Sequence, residues 1–222
     1  FTAVSVGNVP FPNAWAAAPV LTGNRRLAVG VNSNGTLLCL GGLPLKSGKL
    51  AVQTLAPGAG LFVDAALINN AQTIGLGAGM DALNRIVVFG GIEPNAVTAN
   101  VNGYVYLPAT GSGPAIASKH FATHNFAFCA DNLHRLYSIC GAVGAGTTTG
   151  TNAVERYDAN ANSWTALAPM PVTRINATAT YDGLGHILVI GGVDPATTLP
   201  TTTVYSYNIA TDAWSQLGNA PS

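Results

Sequence analysis

The sequence has little charge. Only 8% of its 222 residues are Asp, Glu, Lys or Arg, against roughly 25% in ordinary soluble proteins. Nine basic and nine acidic residues cancel, so no broad field is expected to attract nucleic acid or an anionic membrane. No apolar run approaches the roughly 18–20 residues that a membrane span needs. We therefore expect neither nucleic-acid binding nor a membrane span, and the uncharged composition favours a secreted or surface protein.

Cysteine is also scarce. Cys39, Cys129 and Cys140 are too few and too scattered for a disulfide scaffold or for paired zinc ligands. Cys129 and Cys140 fall on consecutive predicted strands, but the turn between them would pair Cys140 with a residue near Phe126 or Ala127 rather than with Cys129. We expect buried thiols that form no disulfide.

The sequence is rich in repetition. An apolar strand ending in Gly recurs four times, with the first Gly of each copy at Gly41, Gly90, Gly141 and Gly191. Self-similarity at a period of about fifty residues is a mark of repeat architectures. The four copies therefore predict four structural units.

Each unit can be divided into four short strands separated by tight-turn residues and loops. The second strand is almost wholly apolar, as expected for a strand buried on both faces. The fourth carries a large apolar anchor, which is Phe62, Trp164 or Trp214, and it is faint in the second unit, around Ala115 to Ala117. No stretch sustains a helical apolar period, so we predict an all-β protein.

Unit three and unit four share a longer pattern. Tyr157 and Trp164 stand seven residues apart, as do Tyr207 and Trp214, and Pro-Met-Pro with Arg174 leads into the fourth unit. Together with Gly-Gly after a buried strand, this arrangement resembles the kelch repeat of β-propellers. The resemblance implies four-stranded antiparallel blades with the Trp rings packed between neighbouring sheets. Units one and two lack the Tyr/Trp pair, and unit three ends Gly-Ala instead of Gly-Gly.

The predicted units cover approximately residues 25–70, 71–120, 121–172 and 173–222, after an amino-terminal half-blade at 1–24. All belong to one propeller domain or segment. Kelch proteins usually have six or seven blades, so we expect these residues to be part of a longer chain. Closure through a second copy and an open array in a larger assembly are the alternatives.

The loops after each second strand lie on one face with the blade-to-blade connections, and loops on a rigid scaffold are where binding usually resides. Glu93 and Asp194 occupy the same repeat position there, each before Pro, and Lys46 and Lys49 lie in the first loop. Catalysis by two carboxylates requires a separation of roughly 5–10 Å, but these acids belong to non-adjacent units. We interpret them as turn-forming acids and, with the two lysines, as candidate binding residues.

His120 and His124 are the only closely spaced histidines. Two imidazoles four residues apart can share a metal ion, and the kelch resemblance includes copper oxidases that use histidines with tyrosines. No third ligand is evident here, so we interpret both as surface or loop-packing residues and expect no cofactor.

Arginines precede or begin several strands, namely Arg25, Arg26, Arg85, Arg135 and Arg174. The resemblance includes sugar-acid mutarotases, in which a ring of arginines could bind the acid, but hydrogen bonding to neighbouring carbonyls is the commoner role. Asn34 and Asn176 fit the N-glycosylation pattern, which is short and frequent by chance.

No catalytic motif is present. The sequence therefore favours a non-enzymatic, extracellular or surface propeller that binds a protein partner or assembles with itself. The alternative is a carbohydrate-active kelch enzyme, a copper-radical oxidase or a sugar-acid mutarotase, completed by blades outside these residues.

Overall fold

A computed structural model describes residues 26–33, 35–43, 52–59, 61–67, 74–93, 96–111, 113–145 and 149–220. All the regular secondary structure in these ranges is β-strand, which confirms the all-β prediction. Among these residues there is no helix long and apolar enough to cross a membrane. The predicted half-blade at 1–24 lies outside them.

The sixteen strands form four blades of four. Blade one consists of β1 (Arg26–Ser33), β2 (Thr36–Leu43), β3 (Val52–Leu55) and β4 (Val63–Asp64). Blade two consists of β5 (Gly77–Met80), β6 (Ile86–Phe89), β7 (Gly103–Tyr106) and β8 (Ala115–Ile116). Blade three consists of β9 (Ala127–Ala130), β10 (Leu136–Ile139), β11 (Val154–Asp158) and β12 (Ser163–Leu167). Blade four consists of β13 (Thr178–Tyr181), β14 (His186–Ile190), β15 (Thr203–Asn208) and β16 (Ala213–Asn219).

Within each blade every strand pairs antiparallel with its chain neighbour. The first-to-second and third-to-fourth strand turns therefore share one edge, which we call the turn face. The second-to-third strand loops and the blade connections share the opposite edge, the loop face. The first strands β1, β5, β9 and β13 contact one another in chain order, so successive blades lie side by side.

The core is divided among the blade interfaces. One apolar cluster joins blades one and two, a second joins blades two and three, and a third joins blades three and four. Trp164 is buried in the second cluster, and its indole Nε1 donates to the Ala117 carbonyl of blade two at 2.9 Å. Trp214 makes the equivalent 2.9 Å bond to the Ala168 carbonyl of blade three. Both rings pack between sheets, as the sequence predicted.

The strand pairing corrects the alignment of unit three. Phe89, Ile139 and Ile190 are the last residues of their second strands, so the next residues, Gly90, Cys140 and Gly191, are equivalent. Their φ angles are 64°, 61° and 65°. Cys140, and not Gly141, therefore occupies the first-glycine position, and aligning Gly141 with Gly90 was wrong by one residue. A left-handed φ is costly for a residue with a Cβ. The sequence-based alignment therefore placed the nearest glycine, Gly141, at this position.

The cysteines follow the predicted register. Ile139 pairs with Ala127 and Tyr137 with Cys129, so Cys140 lies beyond Ala127 and away from Cys129. None of the three cysteines, all within the described residues, forms a disulfide. Cys140 is buried as expected, whereas Cys39 and Cys129 are only half-buried, so the expectation of buried thiols holds for one of the three.

Candidate functional site

Two clefts lie on the loop face among the described residues. The first, of about 470 Å³, lies between blades three and four, and it is lined by Thr149, Gly150, Val172, Thr173, Arg174, Asp194, Pro195 and Ala196. We call it the Arg174 cleft. The second, of about 300 Å³, belongs to blade two and is lined by Glu93, Ala96, Thr98, Ala99, Asn100 and Val101. Both volumes are within or near the range of small-ligand sites, roughly 300–1,000 Å³.

The two predicted acids lie one in each cleft and so do not form a carboxylate pair. Asp194 Oδ1 accepts a bond from the Ala196 backbone at 2.9 Å, and its carbonyl accepts one from Thr198 at 2.8 Å. The carbonyl of exposed Glu93 accepts a bond from Ala96 at 3.0 Å. Both acids are thus turn residues, as we interpreted them from their sequence position.

Arg174, beside the first cleft, has incomplete polar surroundings. The residue is 7% exposed, and its Nη1 donates to the Thr173 carbonyl at 2.8 Å while Nη2 donates to Thr203 Oγ1 at 3.3 Å. Nε is buried without a partner in the described part of the chain. No carboxylate there forms an ion pair with this guanidinium. Arg174 therefore places beside the cleft a positive charge that has no ion-pair partner among the described residues, although one of its bonds is the predicted one to a backbone carbonyl.

A different cation lies in the interface between blades two and three. Lys119 has a completely buried side chain. Its Nζ donates to Thr123 Oγ1 and to Ser138 Oγ, each at 2.7 Å, lies 3.5 Å from Glu155 Oε1, and stands 4.1 Å from the ring centroid of Phe126. Burial lowers the pKa of Lys119 to about 8, and Glu155 opposes this shift.

The interface between blades three and four has uncharged side chains at the positions of Lys119, Ser138 and Glu155. The backbone nitrogen of Met170 donates to the Asn152 carbonyl, and that of Lys119 donates to the Val101 carbonyl, which occupies the same position in its own blade. Met170 is therefore equivalent to Lys119. Met170 packs with Val189 and Tyr205 in one cluster. These two residues are equivalent to Ser138 and Glu155, as the strand registers show. The sequence interpretation missed this Lys-Ser-Glu cluster, although aligning Lys119 with Met170 would have shown a charge in an apolar column.

The two predicted histidines have separate partners. The backbone nitrogen of His120 donates to Glu155 Oε2 at 2.8 Å, and its half-exposed ring places Nδ1 3.4 Å from the same oxygen. His124 is buried, and its Nε2 bonds with the Gly144 carbonyl at 2.8 Å. No group of three or more His, Cys, Asp or Glu side chains suited to a metal ion occurs in the described ranges.

The remaining candidates are dispersed. Arg85 and Arg135 pair with the carboxylates of their own turns, Asp81 and Asp131, at 2.7 and 2.6 Å, and so do not bond to carbonyls. Asn176 is exposed, and its glycosylation remains a prediction. Four candidates lie outside the described residues: Arg25, Asn34, Lys46 and Lys49.

Comparisons with known proteins agree with this architecture. Residues 184–221 match the family model of the Kelch motif. A solved structure described as that of YjhT superposes with a TM-score of 0.75 at 16% sequence identity, covering 92% of this chain and 68% of the YjhT chain. At this identity the likeness shows the fold alone. No curated protein matches the sequence. With its four antiparallel four-stranded blades, the chain is a kelch-repeat β-propeller.

Proposed function

We propose that this propeller is a non-enzymatic binding module, extracellular or surface-associated, that docks a protein partner on its loop face. The observation that carries the proposal is Arg174, a nearly buried guanidinium that lines a cleft and has no carboxylate partner in the described residues. A buried charge is costly unless it is paired. A carboxylate of a partner protein would supply the missing counter-charge.

The surroundings of Arg174 suit a peptide segment. Thr149 and Thr173 provide hydroxyls, Pro195 and Val172 provide apolar contact, and Asp194 is half-exposed at the same cleft. Asp194 would disfavour a partner with several acids at this point, which gives the site selectivity for a single carboxylate. The low charge of the whole chain supports the proposed exterior location.

Peptide selection tests the proposal. Short random peptides displayed on phage are panned on the immobilised chain, and we expect enrichment of sequences with an Asp or Glu. Arg174→Met should weaken the selected peptides about tenfold or more, since a hydrogen bond to a charged group contributes roughly 1.5–3 kcal/mol. Titration by fluorescence anisotropy measures the change.

Arg85→Met is the matched control, because Arg85 lies on the turn face. It should leave peptide affinity unchanged. Selected peptides without acids, or equal affinity for wild type and Arg174→Met, would contradict the proposal. Oxidation of a sugar after copper loading, or interconversion of sugar-acid anomers, would support the enzymatic alternative.

A further inference from the structure

The turn face has a cleft of its own, of about 460 Å³, between the first turns of blades three and four. We infer that this cleft, which we call the His186 cleft, binds a neutral, hydroxyl-rich ligand of the carbohydrate class. The side chains that support this inference are Asn132, Arg135, Tyr181, Leu184, His186 and Asn208. The site lies on the face opposite the Arg174 cleft and is independent of it.

The cleft exists because one bridge between blades is missing. In the interface of blades two and three, Arg85 Nη2 reaches the hydroxyl of Tyr157 at 3.4 Å and spans the gap. In the next interface, the equivalent Arg135 makes its hydrogen bonds within its own turn, and the Tyr207 hydroxyl donates within its own blade. The turn face therefore stays open between blades three and four.

Blade four also has smaller residues around the opening. Leu184 is flanked by Gly183 and Gly185, whereas the corresponding positions of blade three are Asn132 and His134. A Cβ on either glycine would meet no atom within 4 Å. Blade four thus leaves space where the other turns place side chains.

The charged groups of the cleft have partners within their own turns. Arg135 pairs with Asp131 at 2.6 Å, and His186 Nδ1 lies 3.0 Å from Asp182 Oδ2. Burial alone would raise the pKa of Asp182, but bonds from the backbone of His186 and Leu184 and from the His186 ring outweigh it, so its pKa is lowered. Because Arg135 is neutralised by Asp131, and the Asp182 carboxylate already accepts bonds from the His186 ring and two backbone nitrogens, neither charge is left free to attract an ionic ligand.

Its hydrogen-bonding groups are suited to hydroxyls. His186 Nδ1 lies 3.0 Å from Asp182 Oδ2, which can only accept from it, and Nε2 lies 3.4 Å from Asn208 Nδ2, a donor, so Nε2 is the acceptor of the ring. The exposed amide of Asn132 adds donors and an acceptor. Hydroxyls both donate and accept, and they complement this mixed set.

Apolar surface lies beside these groups. Tyr181 contributes a half-buried ring, and Leu184 is 84% exposed. A pyranose has a C–H face that packs on such surfaces while its hydroxyl edge remains available for hydrogen bonds. A wholly apolar or a charged ligand would satisfy only part of this lining, which is why we favour a sugar.

Nuclear magnetic resonance of the ¹⁵N-labelled chain tests the inference. The probes are the methyl glycosides of glucose, galactose, mannose and N-acetylglucosamine, with glucuronate and glucosamine as charged comparisons. We expect at least one neutral glycoside to shift the amides from Gly183 to His186 in a saturable way. His186→Arg should weaken binding of the glycoside about tenfold or more, because the Nε2 acceptor is lost. The variant should still fold, since Arg at this position can pair with Asp182 as the equivalent arginines do in blades two and three.

A second variant and a control complete the design. Asn132→Ala removes a surface amide and should weaken binding without unfolding the chain, whereas Arg85→His, the reverse exchange in blade two, should have no effect. The inference is overturned if no glycoside gives saturable shifts, if His186→Arg binds equally well, or if a charged sugar binds more tightly than its neutral parent. Saturation of this cleft by a short peptide and by none of the sugars would overturn it as well.

Discussion

Cys140 shows how a single residue can break the repeat and still pack. It has a left-handed φ of 61°, at a position where blades two and four have glycine. Its Sγ lies 3.5 Å from Met170 Sδ. Cys140 and Ala177 of the next blade belong to one cluster, whereas the residue equivalent to Ala177 in blade three is Phe126. A small residue in the neighbouring blade thus accommodates the larger residue here.

Gly90 and Phe126 form the reverse combination. A Cβ on Gly90 would lie 2.8 Å from Phe126 Cε1 and 3.1 Å from the Thr123 carbonyl. We predict that Gly90→Cys destabilises the fold through overlap and backbone strain, by about 2–4 kcal/mol. Phe126→Ala should cost about 3–5 kcal/mol. The double variant should lose about 1–3 kcal/mol less than the sum, because removing the ring removes the overlap.

Urea unfolding of the double-mutant cycle measures this coupling. Gly90→Cys combined with Trp214→Ala, which lies two blades away, serves as the reference and should be additive within about 0.5 kcal/mol. If Gly90→Cys and Phe126→Ala were also additive, the two residues would not be complementary in volume.

At the scale of the element, the interface of blades two and three depends on a buried ionic cluster. Lys119→Met alone should destabilise by about 3–5 kcal/mol, since it leaves Glu155 buried without its cation. The triple variant Lys119→Met, Ser138→Val, Glu155→Tyr introduces the residues found between blades three and four. It should recover most of this loss or exceed wild-type stability, because apolar replacements of buried ion pairs are often neutral or stabilising. A triple variant less stable than Lys119→Met would show that the two interfaces are not equivalent.

Alkaline stability tests the protonation of Lys119 separately. Its pKa falls from 10.5 to about 8 on folding. Between these values the unfolded chain holds a proton that the folded chain has released, so the contribution of Lys119 to stability rises with pH across this window. Measured against Lys119→Met/Glu155→Gln, wild type should gain up to about 3 kcal/mol from pH 8 to 10.5.

That comparison is needed because other groups act in the opposite direction. Burial raises the pKa of the Cys129 and Cys140 thiols to about 12, so their contribution to stability falls as pH rises above the ordinary thiol value. Both thiols are present in wild type and in the double variant and cancel in the difference. A difference independent of pH would mean that Lys119 keeps its ordinary pKa in the fold.

The strands were predictable because their signals are local. Gly-ended apolar runs and turn residues indicated each of the four described blades, the Tyr/Trp spacing marked blades three and four, and even the faint strand near Ala115 is present as β8. The Lys119 cluster was not predictable in this way. Ser138 and Glu155 lie 19 and 36 residues further along the chain, and only the packing of two blades brings them to Lys119. The His186 cleft likewise depends on a contact that one interface makes and the next does not.

At the scale of the whole molecule, blade four is covered less completely than blades two and three. Along β13 and β14 burial alternates, with Thr178 and Thr180 exposed, whereas all four residues of β6 and of β10 are buried. Blade three packs against one face of blade four, and no described blade covers the other. Among the described blades, blade four should therefore be less stable than blades two and three.

Replacing each of the two tryptophans tests this difference in stability between the blades. Trp164 is 6% exposed and should cost about 3–5 kcal/mol when replaced by Ala. Trp214 is only half-buried, so its replacement should cost less, roughly 2 kcal/mol. Urea unfolding followed by far-ultraviolet circular dichroism compares them, because that signal comes mainly from the β-sheet backbone and is retained when one indole is removed. Equal losses would show that the end blade is as well packed as the middle one.

The difference between neighbouring interfaces also limits how the gene can change. Repeats of similar sequence invite unequal recombination, which deletes or duplicates whole blades. Loss of blade three would bring the Lys119 ammonium against Val189 and Tyr205, neither of which supplies a carboxylate in place of Glu155. An unpaired buried charge costs several kcal/mol, a large part of the stability of an ordinary domain. The Lys119 cluster thus favours the present order of the blades, because a recombinant protein that lacks blade three should misfold.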